Sequence, residues 1–168
     1  MSRGSGAGSE SRCHPRGTKH GGLMDLFCVA YTSEARGGTS AEDLDQLLAS
    51  ARSTNSLLAV TGVLLYGAGR FFQYFEGDKK GVDEVYARIR RSQRHTNVVE
   101  LEFQPIRQRR FNRWFMGFRE TPASVLQGLA QQQWTRELPW IEGDHAESPG
   151  MLHLQGLIAP DSSEYGVL

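Results

Sequence analysis

The sequence predicts a ferredoxin-like α/β sandwich, in which two amphipathic helical stretches alternate with five strand-forming runs in the order βαββαββ. Three observations lead there. A chain of 168 residues suits one domain with short appendages, able to bury about two-thirds of its unfolded surface. The segment "GAGR", Gly67 to Arg70, supplies the glycines of a tight hairpin between two strand runs. Both helical stretches carry their apolar residues on a single face. The expected sheet is mixed and five-stranded, with both helices on one side and a C-terminal helical extension.

"LFCVAY", Leu26 to Tyr31, is the first strand, and Thr32 to Gly38 reads as a loop. Thr39 and Ser40 with Glu42 and Asp43 form overlapping capping-box patterns, and Leu44, Leu47, Leu48 and Ala51 follow at helical spacing. That helix is expected to end near Asn55. Val60 to Tyr66 and Phe71 to Phe75 flank the hairpin as antiparallel strands. Val82, Val85, Tyr86 and Ile89 mark a second helix, stopping around His95, whose basic last turn suits the helix dipole. "VVELEF", Val98 to Phe103, is the fourth strand. "NRWFMGF", Asn112 to Phe118, reads as the fifth, with Trp114, Met116 and Phe118 on one face. Ala123 to Gln133 and Met151 to Ile158 read as helices, and Trp134 and Trp140 predict that this tail packs on the sheet's open face or on a partner.

The domain organisation follows. Residues 1–23 are a disordered leader rich in Gly, Ser and basic residues, residues 24–118 the folded domain, and residues 119–168 an acidic helical extension. The leader lacks an apolar core, so it is neither a signal peptide nor a membrane span, and Met24 is a candidate for the true start. Formal net charge is zero, yet residues 119–168 hold two Arg against seven Asp and Glu. Such a distribution disfavours a nucleic-acid stripe and points to the tail for protein contacts. Cys13 and Cys28 sit in unlike contexts, so free thiols and a reducing cytoplasm are expected.

Nothing reads as a nucleophile elbow, a phosphate loop or a metal site, and the five histidines read as surface or capping residues. The basic run Arg107 to Arg113 reads as a solvated loop. What stands out is polar groups placed in apolar surroundings. Gln73 lies inside "GRFFQYFEG", Gly69 to Gly77, where a buried amide without partners costs roughly 1–3 kcal/mol. Tyr31, Asn55 and the pair Trp114 and Met116 join it. These are either core groups bonded to backbone or the lining of a ligand with a polar edge and a flat apolar body.

The motifs "YTSEA", "ARSTN", "TGVLLY", "FFQYFEG", "RSQRHTNV" and "RRFNRWFMG" stand in an order and spacing that resembles the BLUF domains, blue-light sensors that use FAD. The resemblance runs from about Met24 to Phe118. It implies a noncovalent FAD whose isoalloxazine ring lies between the two helices, with Leu47 or Leu48 on one side and Ile89 on the other. It makes Tyr31 the photoactive tyrosine, Gln73 the switching glutamine and Asn55 the ligand of the pyrimidine edge, and it places Trp114 and Met116 on the last strand. Thr54 and Ser92 depart from residues frequent in the family. Arg88, and after it Arg91 and Arg94, are the candidates for the FAD phosphates.

The implied photochemistry passes an electron and a proton from Tyr31 toward the flavin, after which the Gln73 amide reorients or tautomerises and its hydrogen bonds are exchanged. The implied protein is a sensor rather than an enzyme. It acts in the cytoplasm through a downstream signalling protein and a homo-oligomer, without nucleic acid or membrane. A flavin-dependent oxidoreductase on the same fold and a ligand-free interaction module are the competing readings.

Overall fold

The structure, a computed structural model, describes residues 25–37, 39–134 and 147–158. Nine elements follow one another: β1 (Leu26–Ala35), α1 (Ala41–Leu57), β2 (Thr61–Gly67), β3 (Arg70–Asp78), α2 (Lys79–Arg91), β4 (His95–Ile106), β5 (Gly117–Glu120), α3 (Ala123–Ala130) and α4 (Pro149–Ile158). One sheet runs in the order β4-β1-β3-β2-β5, with β2 and β5 parallel and the other neighbours antiparallel. The ferredoxin-like expectation holds.

β3 occupies the middle of the sheet, which explains why its aromatic residues stand on both faces. Phe71 to Gly77 are all buried because the strand is covered on both faces. The hairpin before it turns at Ala68 and Gly69, both with positive φ (49° and 75°), the backbone that the twist of an antiparallel pair favours in a two-residue loop. α1 starts at a true capping box, in which Ser40 Oγ accepts from the Asp43 amide and Asp43 Oδ2 accepts from the Ser40 amide, both at 3.1 Å.

α1 and α2 cover one face of the sheet. The opposite face is covered by the C-terminal segment: Leu126, Leu129, Trp134, Met151, Leu154 and Ile158 pack on Cys28, Ala30, Val63, Leu65, Phe72 and Tyr74. The Trp134 indole lies flat on Gly150, where a Cβ would come within 2.5 Å of the ring, and donates its N–H to the Leu129 carbonyl at 2.8 Å. The tail therefore packs back on its own sheet, as Trp134 predicts. Trp140, Cys13, His14, His20, His145 and the leader lie outside the described residues. Among those described, no helix is long and apolar enough to cross a membrane.

The elements depart from the sequence reading in several places. β1 continues through Thr32 to Ala35, where a loop was expected, because neighbours on both sides supply partners there: Glu34 faces Arg70 on β3 and Thr96 on β4. α2 ends at Arg91, and His95 opens β4. The largest correction concerns the fifth strand. It begins only at Gly117, and residues 107–116 are a loop, so Trp114 and Met116 precede the strand instead of sharing its face. The reason is a buried carboxylate. Glu76 accepts from the amides of Arg110 and Phe111 at 2.5 and 2.6 Å, and Arg109 donates to Thr61 Oγ1 and the Glu76 carbonyl at 3.0 and 3.1 Å. These bonds anchor the chain just before the expected strand, and within it the Phe115 and Met116 carbonyls are taken by the side chains of Asn55 and Arg52 instead of by a ladder.

Candidate functional site

Tyr31 and Gln73 are direct partners across the β1–β3 ladder, and both point to the face covered by α1 and α2. The Tyr31 hydroxyl donates to Gln73 Oε1 at 2.5 Å. Gln73 Nε2 donates to Met116 Sδ at 3.4 Å, a weak bond because a thioether is a poor acceptor. Tyr31 is fully buried, and that burial, with the nearby Tyr86, holds its phenol well above the usual range, so it stays a proton donor. Burial, followed by its bond to Glu100, pushes the Tyr86 phenol itself up to about 12.

The last turns of α1 grip the loop before β5. Asn55, 2 % exposed, donates through Nδ2 to the Phe115 carbonyl at 2.7 Å, and Arg52, one turn earlier, donates through Nε to the Met116 carbonyl at 3.1 Å. Asn55 also accepts the Val60 amide on its own carbonyl at 2.9 Å, which fixes the turn into β2. Met116, 2 % exposed, is thereby held against Gln73. Trp114 packs differently: it borders the cluster under α3 and α4 and lies over Gly117. Of the expected pair, Met116 is the one whose side chain bonds Gln73.

Two separate apolar clusters lie on this face. Leu44, Leu48 and the partly buried Leu47 from α1 gather with Leu64, Phe71 and Met116. Val82, Val85, Tyr86 and the partly buried Ile89 from α2 gather with Val29, Tyr31 and Phe75. Gln73 falls on β3 between Phe71 of one cluster and Phe75 of the other. The result is a polar seam with an apolar wall on either side, a donor and acceptor set suited to a planar ligand with a polar edge. Arg88 stands apart on the surface, paired with Glu84 at 2.8 Å. Among the described residues no group of His, Cys, Asp and Glu could hold a metal ion.

Sequence reasoning missed Arg52, Glu76, Ser33 and His95. Arg52 and Glu76 carry a readable signal, a charge one helical turn before Asn55 and a charge at the end of an apolar strand. His95 carries none, since a lone histidine has no pattern, and the surface reading fails for it. His95 is half-buried, with Nδ1 2.9 Å from Ser33 Oγ and its ring against Tyr31 and Phe71.

Comparison with known proteins matches residues 26–117 to the family described as BLUF, sensors of blue-light using FAD. The chain is 37% identical over 90 residues to the photoactivated adenylate cyclase subunit beta of Euglena longa, across 54% of this chain and 10% of that protein. It is 32% identical over 84 residues to the blue light- and temperature-regulated antirepressor BluF of Escherichia coli (strain K12), across 49% of this chain and 21% of that one. The match thus covers a small part of those relatives. Among solved structures, BlrB, a BLUF protein in its dark state, superposes with a TM-score of 0.55 at 33% identity over 64% of this chain and 81% of that one. The ground state of BlsA shares the fold, with a TM-score of 0.63 over 85% of this chain and 94% of that one, at 22% identity.

Proposed function

The chain belongs to the BLUF family of blue-light sensors, and on that premise we propose that it holds FAD noncovalently between α1 and α2 and reports light through the hydrogen bonds of Tyr31 and Gln73. The single observation that carries this reading is the buried bond from Tyr31 to Gln73, placed in the seam between two apolar clusters. Leu47 and Ile89 border the seam from opposite helices, and Asn55 stands at its α1 end. The basic end of α2 is the part of the surface suited to phosphates. For Arg88 this requires leaving Glu84, an exchange with little penalty for an exposed pair.

The bound flavin supplies absorption of blue light and an acceptor for an electron. The chain supplies the rest. Tyr31, kept protonated by burial, would pass both an electron and a proton toward the flavin, the proton leaving along its bond to the Gln73 oxygen. Once Tyr31 ceases to donate, nothing strong holds the Gln73 amide in its present orientation, because its other bond ends on sulfur. A half-turn about the amide exchanges the roles, so that the nitrogen faces the Tyr31 oxygen and the carbonyl oxygen faces Met116, whereas its tautomer leaves both atoms in place and turns the oxygen facing Tyr31 into a donor; the half-turn is the form that reaches Met116. An oxygen cannot donate to the thioether, so Met116 loses its bond and the loop held by Asn55 and Arg52 feels the change.

The output in this reading is a changed surface, with a downstream signalling protein and a homo-oligomer as partners, in the cytoplasm and without catalysis by this chain. Residues 24–118 form the sensing unit and residues 119–168 the extension that carries the signal. The test is an absorption spectrum of the purified protein before and after blue light, with cofactor released and identified by mass. A yellow protein holding FAD, a red shift without added reductant and dark recovery support the reading. A colourless protein, or bleaching that needs a substrate or reductant, defeats it.

A further inference from the structure

Tyr31 is ringed by aromatic groups: Phe75 edge-on at 6.5 Å between centroids, Tyr86 tilted at 6.1 Å and His95 edge-on at 6.2 Å with an interplanar angle of 76°. Only His95 of the three comes from a strand on the far side of β1 from Gln73. Like Tyr86 it has a polar bond of its own, but that bond, Nδ1 to Ser33 Oγ at 2.9 Å, ends on β1 itself, and its ring packs on Phe71 at 5.1 Å. Ser33 is 2 % exposed and lies two residues beyond Tyr31 on the same strand face, so the histidine is anchored to the very strand that carries the phenol.

We infer that His95, tethered by Ser33, is a positioning residue for Tyr31: it fixes the phenol ring so that the hydroxyl meets Gln73, and it does so as an uncharged imidazole. The inference rests on the photochemistry proposed above. A ring contact alone could be served by any aromatic side chain. The Ser33 bond adds direction, because it sets the rotation of the imidazole whichever ring nitrogen carries the proton, and the imidazole edge in turn limits the tilt of Tyr31.

The charge state matters for the second half of the inference. A cation about 6 Å from the phenol opposes the loss of an electron from Tyr31 in a poorly solvated site. The groups around His95 keep it neutral. Tyr31 and Ser33 face it from β1 and Phe71 from β3, and among the described residues no carboxylate is bonded to the ring, while Arg94, its chain neighbour, repels a second positive charge. Burial, then Arg94, pushes the imidazole down to about 4.

The test uses the full chain with its flavin, in wild type, Ser33→Ala, His95→Phe and the double variant, followed by the light-induced shift and its dark recovery from pH 8 to 4. The wild-type shift at pH 7.5 is measured first, and its absence defeats this inference together with the photochemical reading. Ser33→Ala keeps the ring and His95→Phe keeps an aromatic contact, so each is expected to fold. Both should retain the shift but change dark recovery by roughly tenfold, the rate equivalent of one hydrogen bond. The double variant should match the singles, since both remove one tether. In wild type and Ser33→Ala the yield of the shifted form should fall as pH drops below about 5, and in His95→Phe this acid limb should vanish. Unchanged recovery in both single variants, or an acid limb that survives His95→Phe, overturns the inference and leaves His95 as packing only.

Discussion

Tyr31 meets Gln73 from directly across the β1–β3 ladder, its hydroxyl donating to the amide oxygen at 2.5 Å, and this one bond fixes the amide's orientation. With Oε1 on the phenol, Nε2 is committed to Met116. Tyr31→Phe removes the donor while keeping the ring among Phe75, Tyr86 and His95. We expect a yellow protein with no light-induced shift, and a stability loss of about 1 kcal/mol, the usual size for one hydrogen bond. Light-minus-dark absorption and urea unfolding check the two parts, and a surviving shift would remove Tyr31 as donor.

Asn55→Ala acts on both the loop and the flavin. It strands the Phe115 carbonyl, which the Asn55 amide satisfies at 2.7 Å in a buried setting, so a loss of about 1–3 kcal/mol is expected in the apoprotein. Flavin retention should weaken as well, because the proposed pyrimidine contact goes with it. Chemical unfolding of the apoprotein and flavin titration separate the effects. An unchanged affinity would count against the ligand role and leave Asn55 as a staple of the loop.

The route of the signal can be tested at Met116. Met116→Ala opens a cavity at a residue 2 % exposed, with an expected stability loss of about 2 kcal/mol or more. The spectral shift should persist, since the bond from Tyr31 to Gln73 is kept and only the weak bond to sulfur is lost, while any light-dependent change in association shrinks. Ending the chain at Glu120 is a poorer test, because it would uncover the apolar face under α3 and α4. Size-exclusion chromatography of Met116→Ala in light and dark checks the output.

A pH prediction concerns the other face of the sheet. Burial, partly offset by the Cys28 bond, holds the Glu102 carboxyl up near 7. A carboxyl raised in the folded state binds more protons there than in the unfolded chain. Its contribution to stability is therefore complete below about 4.5 and is lost as pH rises to about 7. Glu102→Gln should abolish that loss. The stability difference between variant and wild type should shift in the variant's favour by about 1–3 kcal/mol between pH 4.5 and 8, measured by urea unfolding. A pH-independent difference would place Glu102 at an ordinary carboxylate pKa.

The parts of the fold that were legible in the sequence are those set by local pattern. "FFQYF" reads as a strand, "GAGR" as a hairpin, Ser40 with Asp43 as a cap, and Trp134 as part of a tail that packs on the sheet or on a partner, of which the structure shows the first. Elements decided by long-range partners were not. Residues 112–116 have strand-like composition, yet the Glu76 carboxylate, 34 residues from Arg110, holds the backbone amides just before that segment, and Asn55 and Arg52 take the carbonyls of Phe115 and Met116 within it. Thr32 to Ala35 look like a loop until strands on both sides supply bonds. The same holds at the site. Tyr31 and Gln73 stand out because polar groups in apolar strands need partners, whereas Ser33 and His95, 62 residues apart, become meaningful only once the sheet brings them together.

The measurement that bears most directly on the Tyr31–Gln73 switch is the light-minus-dark absorption spectrum of Gln73→Leu, taken beside wild type under the same blue light. Leucine keeps most of the volume of the amide and cannot exchange a donor for an acceptor. The loss of one or two hydrogen bonds, about 0.5–1.5 kcal/mol each, should not empty a site that also buries the flavin ring. The account predicts that the variant binds flavin and stays spectrally unchanged by light while wild type shifts to the red and recovers. A normal, reversible red shift in flavin-loaded Gln73→Leu would contradict it.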